Sequence, residues 1–446
     1  MQVFPRANFG VAMERIGVTH AGSLIRPPEL LAFLSAADHG QASTDGPQYQ
    51  AALGRAVDYV VRRQLETGID VVDDGEMGKA TWITYLYERT SGLEPRPLNG
   101  SFSTILPASR DRQNFPGAYA ELDRLEHDAT VRIRDKAVSD APMENARPER
   151  ERPDPEKQGA AVWVCTGPMR YDRAAIDRDL ANVKAALAAH GKDISEAFLP
   201  VVAPASAYWL RNEHYDSDEE FVYALADVLH EEYRAIVESG AFLQVDDAVL
   251  MHEADTMLSR GQSYEEYRAW ARLRVDALNY ALRGLPEDRI RYHICFGSWH
   301  GPHAYDPPLR LAIDLVLAVN AKYYLMEQAN PRHEHEWKIW QDVTLPDGKV
   351  LVPGVVTHHT NVVEHPELVA QRLIRLADVV GRDRVMGGTD CGFAQGAFMH
   401  RVHEEIQWAK LASLVEGARI ASRELWGAKA ESLSVLTQGR PIARQC

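Results

Sequence analysis

The stretch SDEEFVYALADVLHEEYRAIVESGAFLQVDDAV (217–249) sets the reading of the whole chain. Ser217 followed by Glu220 has the capping-box spacing of a helix start. Phe221, Leu225, Val228, Leu229 and Ile236 then recur at helical intervals, and Gly240 stops the run. Directly after the glycine comes FLQVDDAV (242–249), a short β-rich run ending in carboxylates. A helix feeding a buried strand in this way is one half of a parallel βα unit. HPELVAQRLIRLADVVG repeats the pattern, with Pro366 at a first helical position, Val369, Leu373, Leu376 and Val380 on one face, and Gly381 at the end.

Eight such runs can be placed along the chain, at 16–24, 69–76, 197–204, 242–249, 290–297, 322–327, 350–358 and 384–392. Eight units predict an α/β chain folded as a closed (β/α)8 TIM barrel, whose active site would sit at the C-terminal ends of the strands. The 446 residues are expected to form a single catalytic domain. Between the second and third runs the chain spends several times the usual length of a connection, which places an insertion at 97–193. Within it, 143–158 reads as a charged, proline-rich loop, AVWVCTGP (161–168) as a strand and 171–191 as a helix.

Apolar residues at 45% and charged residues at 25% are globular proportions, which exclude a disordered or collagen-like chain. The net charge of −15 argues against a general nucleic-acid binder. No start resembling a targeting segment and no run of apolar residues long enough to span a bilayer is read, so a cytoplasmic protein without membrane association is expected. Four scattered cysteines suit reduced thiols or metal ligands better than a disulfide framework.

The chemistry gathers around His293-Ile294-Cys295. Alternate residues of a strand point the same way, so imidazole and thiolate can reach one ion. On its own an H-x-C pair is more often a packed histidine beside a buried cysteine. Here Glu327 closes the sixth run and Cys391 the eighth, which the barrel would bring to the same rim. Histidine, two cysteines and a glutamate make a tetrahedral zinc set, and thiolates select zinc over magnesium or calcium. His333 and His335, in NPRHEHEW, read as solvated loop residues, while Trp299 is a candidate for a pocket wall.

Taken in order, Gly22-Ser23, GIDVVDDGE (68–76), QVDD (244–247), HIC (293–295), Met326-Glu327 and GTDCG (388–392) resemble the catalytic barrel of cobalamin-independent methionine synthase. The related zinc-dependent epoxyalkane:coenzyme M transferases are equally similar, and the resemblance covers residues 16 to about 425, with the synthase's duplicated N-terminal barrel expected to be missing. It implies Zn2+ held by His293, Cys295, Glu327 and Cys391. It further implies an amino-acid thiol site at Ser23, Glu76 and Asp246, and a proton-donating histidine at His359, with His358 as the alternative if the strand register differs by one. The expected activity is alkyl transfer to a thiol activated by zinc, most simply a methyl group to homocysteine or a similar small thiol. The alternatives are an epoxide:thiol transferase and a zinc hydrolase or lyase that uses metal-bound water. The expected partners are thus a small thiol and an alkyl donor, with assembly into a homo-oligomer left open.

Overall fold

A computed structural model describes residues 14–38, 43–44, 46–97, 109–139, 161–207 and 210–427. The expected charged loop at 143–158 lies outside these described residues. The chain begins with β1 (Gly17–Val18), α1 (Pro28–Asp38), α2 (Pro47–Thr67), α3 (Thr84–Glu88), β2 (Thr90–Pro97), α4 (Arg110–Asn114), α5 (Pro116–Ser139) and β3 (Ala161–Tyr171). It continues through α6 (Ala174–Ala189), β4 (Phe198–Val202), β5 (Leu210–Asn212), α7 (Asp218–Ser239), β6 (Phe242–Asp247), α8 (Glu253–Ser259), α9 (Tyr264–Ala281) and β7 (Ile290–Ile294). It closes with α10 (Ile313–Leu317), β8 (Tyr323–Met326), β9 (Val350–Val356), α11 (Pro366–Val380), β10 (Met386–Thr389), β11 (Ala394–Gly396), β12 (Met399–His400) and α12 (Glu404–Trp426).

Seven strands form one curled, all-parallel sheet in the order β1-β10-β9-β8-β7-β6-β4. Residues 70–72 touch both of its edges. The amides of Asp70 and Val71 donate to the Val18 carbonyl, while Val72 donates to Glu196 and its own carbonyl accepts from Phe198. The second expected strand therefore shrinks to one bridge, Val72 to Ala197. The cause is local: Asp-Asp-Gly-Glu turns the chain at once, with Gly75 and Glu76 both left-handed. The first expected strand is likewise limited to Gly17–Val18.

The helices owe their ends to the residues the sequence singled out. In α7 the Ser217 hydroxyl accepts from the Glu220 amide at 3.1 Å, and Gly240 caps the last turn at φ 97°. The reciprocal half of the capping box is replaced: the Glu220 carboxylate accepts from Asp216 rather than from Ser217. Phe221, Leu225, Val228, Leu229 and Ile236 are buried as their spacing requires, each contributing about 1.5–3 kcal/mol relative to exposure. Opposite the helices, Val71, Phe198, Phe242, Tyr323, Leu325, Val350 and Val352 form a separate apolar cluster, as expected for the other face of a curled sheet.

Outside the parallel sheet, β2, β3 and β5 make a small three-stranded sheet, β11 and β12 a hairpin, and α6 packs against α2 and α7. Among the described residues no helix is long and apolar enough to cross a membrane.

Candidate metal centre and pocket

Asp246, His293, Cys295, Glu327 and Cys391 fall at or just past the C-terminal ends of parallel strands, whereas Ser23 and Glu76 lie in the turns that follow β1 and the Val72 bridge. His293 is the fourth residue of β7 and Cys295 follows the strand, so both project from one side of it. Gly297 makes the next turn at φ 106°, which lets its amide donate to the Cys295 sulfur at 3.1 Å. A Cβ on Gly297 would sit 1.6 Å from the Trp299 ring, so no other residue fits there. Cys391 follows β10, and its sulfur lies 3.7 Å from that of Cys295. That is far beyond a disulfide bond, and both thiols are free.

The donor atoms of His293, Cys295 and Cys391 lie within 4.8 Å of one another. Burial, reinforced by the Arg291 guanidinium, pushes the His293 imidazole down to about 3, so it is neutral and ready to donate a lone pair. Both of its buried ring nitrogens lack a well-formed hydrogen bond. The Cys295 thiol is pushed well above its usual range by its hydrogen bond to Cys391 and by burial. Two thiols crowded together and an orphaned neutral imidazole are what a soft or borderline cation would satisfy, and the donor set suits zinc.

Glu327 stands beside this trio, its carboxylate in side-chain hydrogen-bonding reach of Cys295. One carboxylate oxygen accepts from the Phe296 amide at 3.1 Å and the other from the Asn330 side chain at 2.8 Å. Asn330 also reaches Asp390, whose carboxylate in turn accepts from the Gln328 and Ala329 amides. Burial raises the Glu327 carboxyl and pushes Asp390 up to about 7.

The trio opens into a pocket lined also by Ser23, Glu76 and Asp246. Glu76 is held at φ 59°, a left-handed conformation that costs a non-glycine residue about 1–3 kcal/mol and is retained mostly where function demands it. One of its oxygens pairs with Lys79 at 3.2 Å and the other is buried without a partner. Asp246 accepts from Gln244 at 2.9 Å, and burial together with the neighbouring Glu76 raises its carboxyl well above the usual range. Ser23 packs against Gly392, where a Cβ would come within 2.1 Å of the serine oxygen.

The two candidate proton donors sit differently. His358 is buried and shares a 2.8 Å hydrogen bond with Ser298, which lines the pocket. His359 is half-buried behind it, its ring 4.8 Å from that of His358 and 6.1 Å from that of His300, and is absent from the pocket wall. Burial, with His303, His300 and Arg401 nearby, pushes His359 down to about 4.

Several pocket residues escaped the sequence reading: Trp82, Glu126, His252, Gln395 and Arg401. None sits at the end of a parallel strand, so the period that located the others gave no signal. Trp299 does line the pocket, and its indole donates to Tyr119 on α5 at 3.1 Å. His333 corrects the expectation of a solvated residue. It is buried, bonded through one nitrogen to Asp306 at 3.0 Å and through the other to Glu336 at 2.9 Å, whereas His335 is exposed.

A curled parallel sheet with a His–Cys–Cys group and a carboxylate-lined pocket at its C-terminal rim defines the class of protein. By sequence the chain is a relative of proteins named methionine synthase and 2-hydroxypropyl-CoM lyase. The methionine synthase of Thermococcus kodakarensis is 25% identical over 229 residues, covering 51% of this chain and 58% of that protein. Little more than half of that relative is therefore spanned. The methionine synthase of Pyrococcus furiosus is 21% identical over 407 residues, covering 91% and 92% of the two chains. The 2-hydroxypropyl-CoM lyase of Xanthobacter autotrophicus is 26% identical over 274 residues, covering 56% and 66%. Among solved structures, a B12-independent methionine synthase from Shewanella sp. W3-18-1 in complex with selenomethionine shares the fold, with a TM-score of 0.63 at 19% identity over 92% of this chain and 99% of that one. No protein-family model matches the chain.

Proposed function

We propose that the protein is a zinc-dependent thiol alkyltransferase that most simply moves a methyl group to homocysteine or a similar small thiol. The observation that carries this is the convergence of His293, Cys295 and Cys391 on one wall of the pocket that Ser23, Glu76 and Asp246 also line. The hydrogen bonds of residues 70–72 to both sheet edges support a closed (β/α)8 barrel forming one catalytic domain. The segment 97–193 is proposed as an insertion in it, whose α5 reaches the pocket through Glu126. Thiols kept reduced in a metal site suit a cytoplasmic setting.

Zn2+ would be held by His293, Cys295 and Cys391, with Glu327 as the fourth ligand, and would supply a lowered thiol pKa that makes thiolate available near neutral pH. Glu76 and Asp246 receive the substrate's ammonium group, whose charge favours the ionised form of the buried Asp246 carboxyl. Ser23 supplies a neutral hydroxyl to the same substrate. In the transfer a sulfur–carbon bond forms as the bond between that carbon and its donor atom breaks. The thiol proton passes to the departing atom. His359, neutral at rest, is the group proposed to hold that proton between the two events, with His358 and Ser298 as the neighbouring alternative. Proximity inside the pocket provides much of the acceleration.

The relation to 2-hydroxypropyl-CoM lyase favours a second reading, in which the electrophile is an epoxide and the proton ends on the ring-opened oxygen. Incubating the zinc-loaded chain with homocysteine and, separately, a methyl-folate, a methyl-corrinoid or a small epoxide tests both. Loss of free thiol with formation of the matching thioether supports the proposal. Turnover of ester or amide substrates with thiols left untouched would replace it by a hydrolytic enzyme.

A further inference from the structure

Besides the carboxylates Glu76, Asp246 and Glu126, the pocket is lined by Arg401, the single Arg or Lys among the described residues that line the cavity. Its side chain is only 7% exposed. A guanidinium largely taken out of water needs compensating partners, and the described residues supply them to two of its three nitrogens. Nε donates to Gln395 at 2.6 Å and Nη1 to Glu126 at 2.8 Å, while Nη2 makes no hydrogen bond to any described residue. Gln395 is itself oriented by the Gly392 carbonyl at 2.9 Å, so that its oxygen faces the arginine. Gly392 adjoins Cys391, and the Arg401 charge acts on both thiols of the metal group. The guanidinium fork is built to grip an anion with two nitrogens, yet Glu126, arriving from α5, occupies only one.

We infer that Arg401 is the seat for an anionic group, a carboxylate or sulfonate, carried by the thiol substrate a few bonds from its sulfur, and that Glu126 competes for that seat. The inference rests on the thiol reading and narrows it. Ser23, on the other side of Gly392, adds a hydroxyl but no charge. The thiol thus lies with sulfur at the metal group, its anionic end toward Arg401, and any ammonium toward Glu76 and Asp246. In this arrangement the α5 helix tunes specificity: Glu126 weakens acidic thiols and keeps the buried arginine paired when the pocket is empty.

Calorimetric titration of the zinc-loaded full chain with 3-mercaptopropionate and with 1-propanethiol separates the cases. Arg401→Gln should weaken 3-mercaptopropionate about tenfold or more, the worth of a charge-assisted pair, and 1-propanethiol less than about twofold. Glu126→Gln, which leaves the arginine in place, should strengthen 3-mercaptopropionate and leave 1-propanethiol unchanged. If both variants shift the two thiols alike, Arg401 and Glu126 merely tie α5 to the sheet and the inference is overturned. If the wild-type chain binds neither thiol, the thiol reading itself fails and takes the inference with it.

Discussion

The sulfurs of Cys295 and Cys391 lie 3.7 Å apart although 96 positions separate them in the chain. Each follows a strand of the same parallel sheet, so the fold, not local sequence, makes the pair. Cys295→Ser, Cys391→Ser and His293→Ala should therefore each remove most bound zinc, measured as metal per chain after dialysis. Far-UV circular dichroism should stay native, because the C-terminal rim of the parallel sheet is not its core. A variant that loses metal and unfolds together would instead mark a structural zinc.

Asn330 holds the outer side of this centre by donating to both Glu327 and Asp390. Asn330→Ala leaves two buried carboxylates short of a donor, and urea unfolding should register a loss of about 2–3 kcal/mol. Zinc affinity should fall as well, since Glu327 then keeps only the Phe296 amide as an N–H donor to fix its position relative to the trio. Unchanged stability would mean that the asparagine is dispensable.

Protonation of His333 is expected to contribute stability below neutral pH. Burial opposes its charge, but hydrogen bonds to Asp306 and Glu336 prevail and raise it from 6.5 to about 10. A raised histidine stabilises the fold fully below its unfolded value near 6.5 and loses that contribution as pH climbs through about 10. The stability gap between wild type and His333→Gln should thus be largest below pH 6.5 and shrink steadily toward pH 10. A gap that grows with pH would refute the pairing.

Gly392 makes room for Ser23: a Cβ there would come 2.1 Å from the serine oxygen. Gly392→Ala should push that hydroxyl aside and weaken homocysteine binding in calorimetry, at a stability cost of about 1–3 kcal/mol for overpacking. Homocysteine bound as tightly as by the wild type would remove Ser23 from the substrate site.

Much of this was legible because strands and helices leave different periods. The eight β-rich runs all fall on strands or bridges of the parallel sheet, and the H-x-C spacing on β7 foretold that His293 and Cys295 share a side. Strand lengths were overestimated where a turn intervenes: the valines of GIDVVDD invite a strand, but Gly75 and Glu76 reverse the chain after a single bridge. His333 reads as solvated because one partner, Asp306, is distant in sequence, and the other, Glu336 within NPRHEHEW, carries no mark of burial. Glu126 and Arg401 were invisible for the same reason. One comes from α5 within the 97–193 stretch and the other follows the β11–β12 hairpin, and the fold alone brings them to the pocket, 2.8 Å apart.

Zinc K-edge absorption on the purified chain, with metal stoichiometry and with and without homocysteine, tests the central claim most directly. The account predicts one zinc per chain with about two sulfur ligands, from Cys295 and Cys391, rising to three when homocysteine is added. Zinc whose sulfur count does not change with the thiol would contradict thiol activation, and a chain that binds no zinc would contradict the site itself.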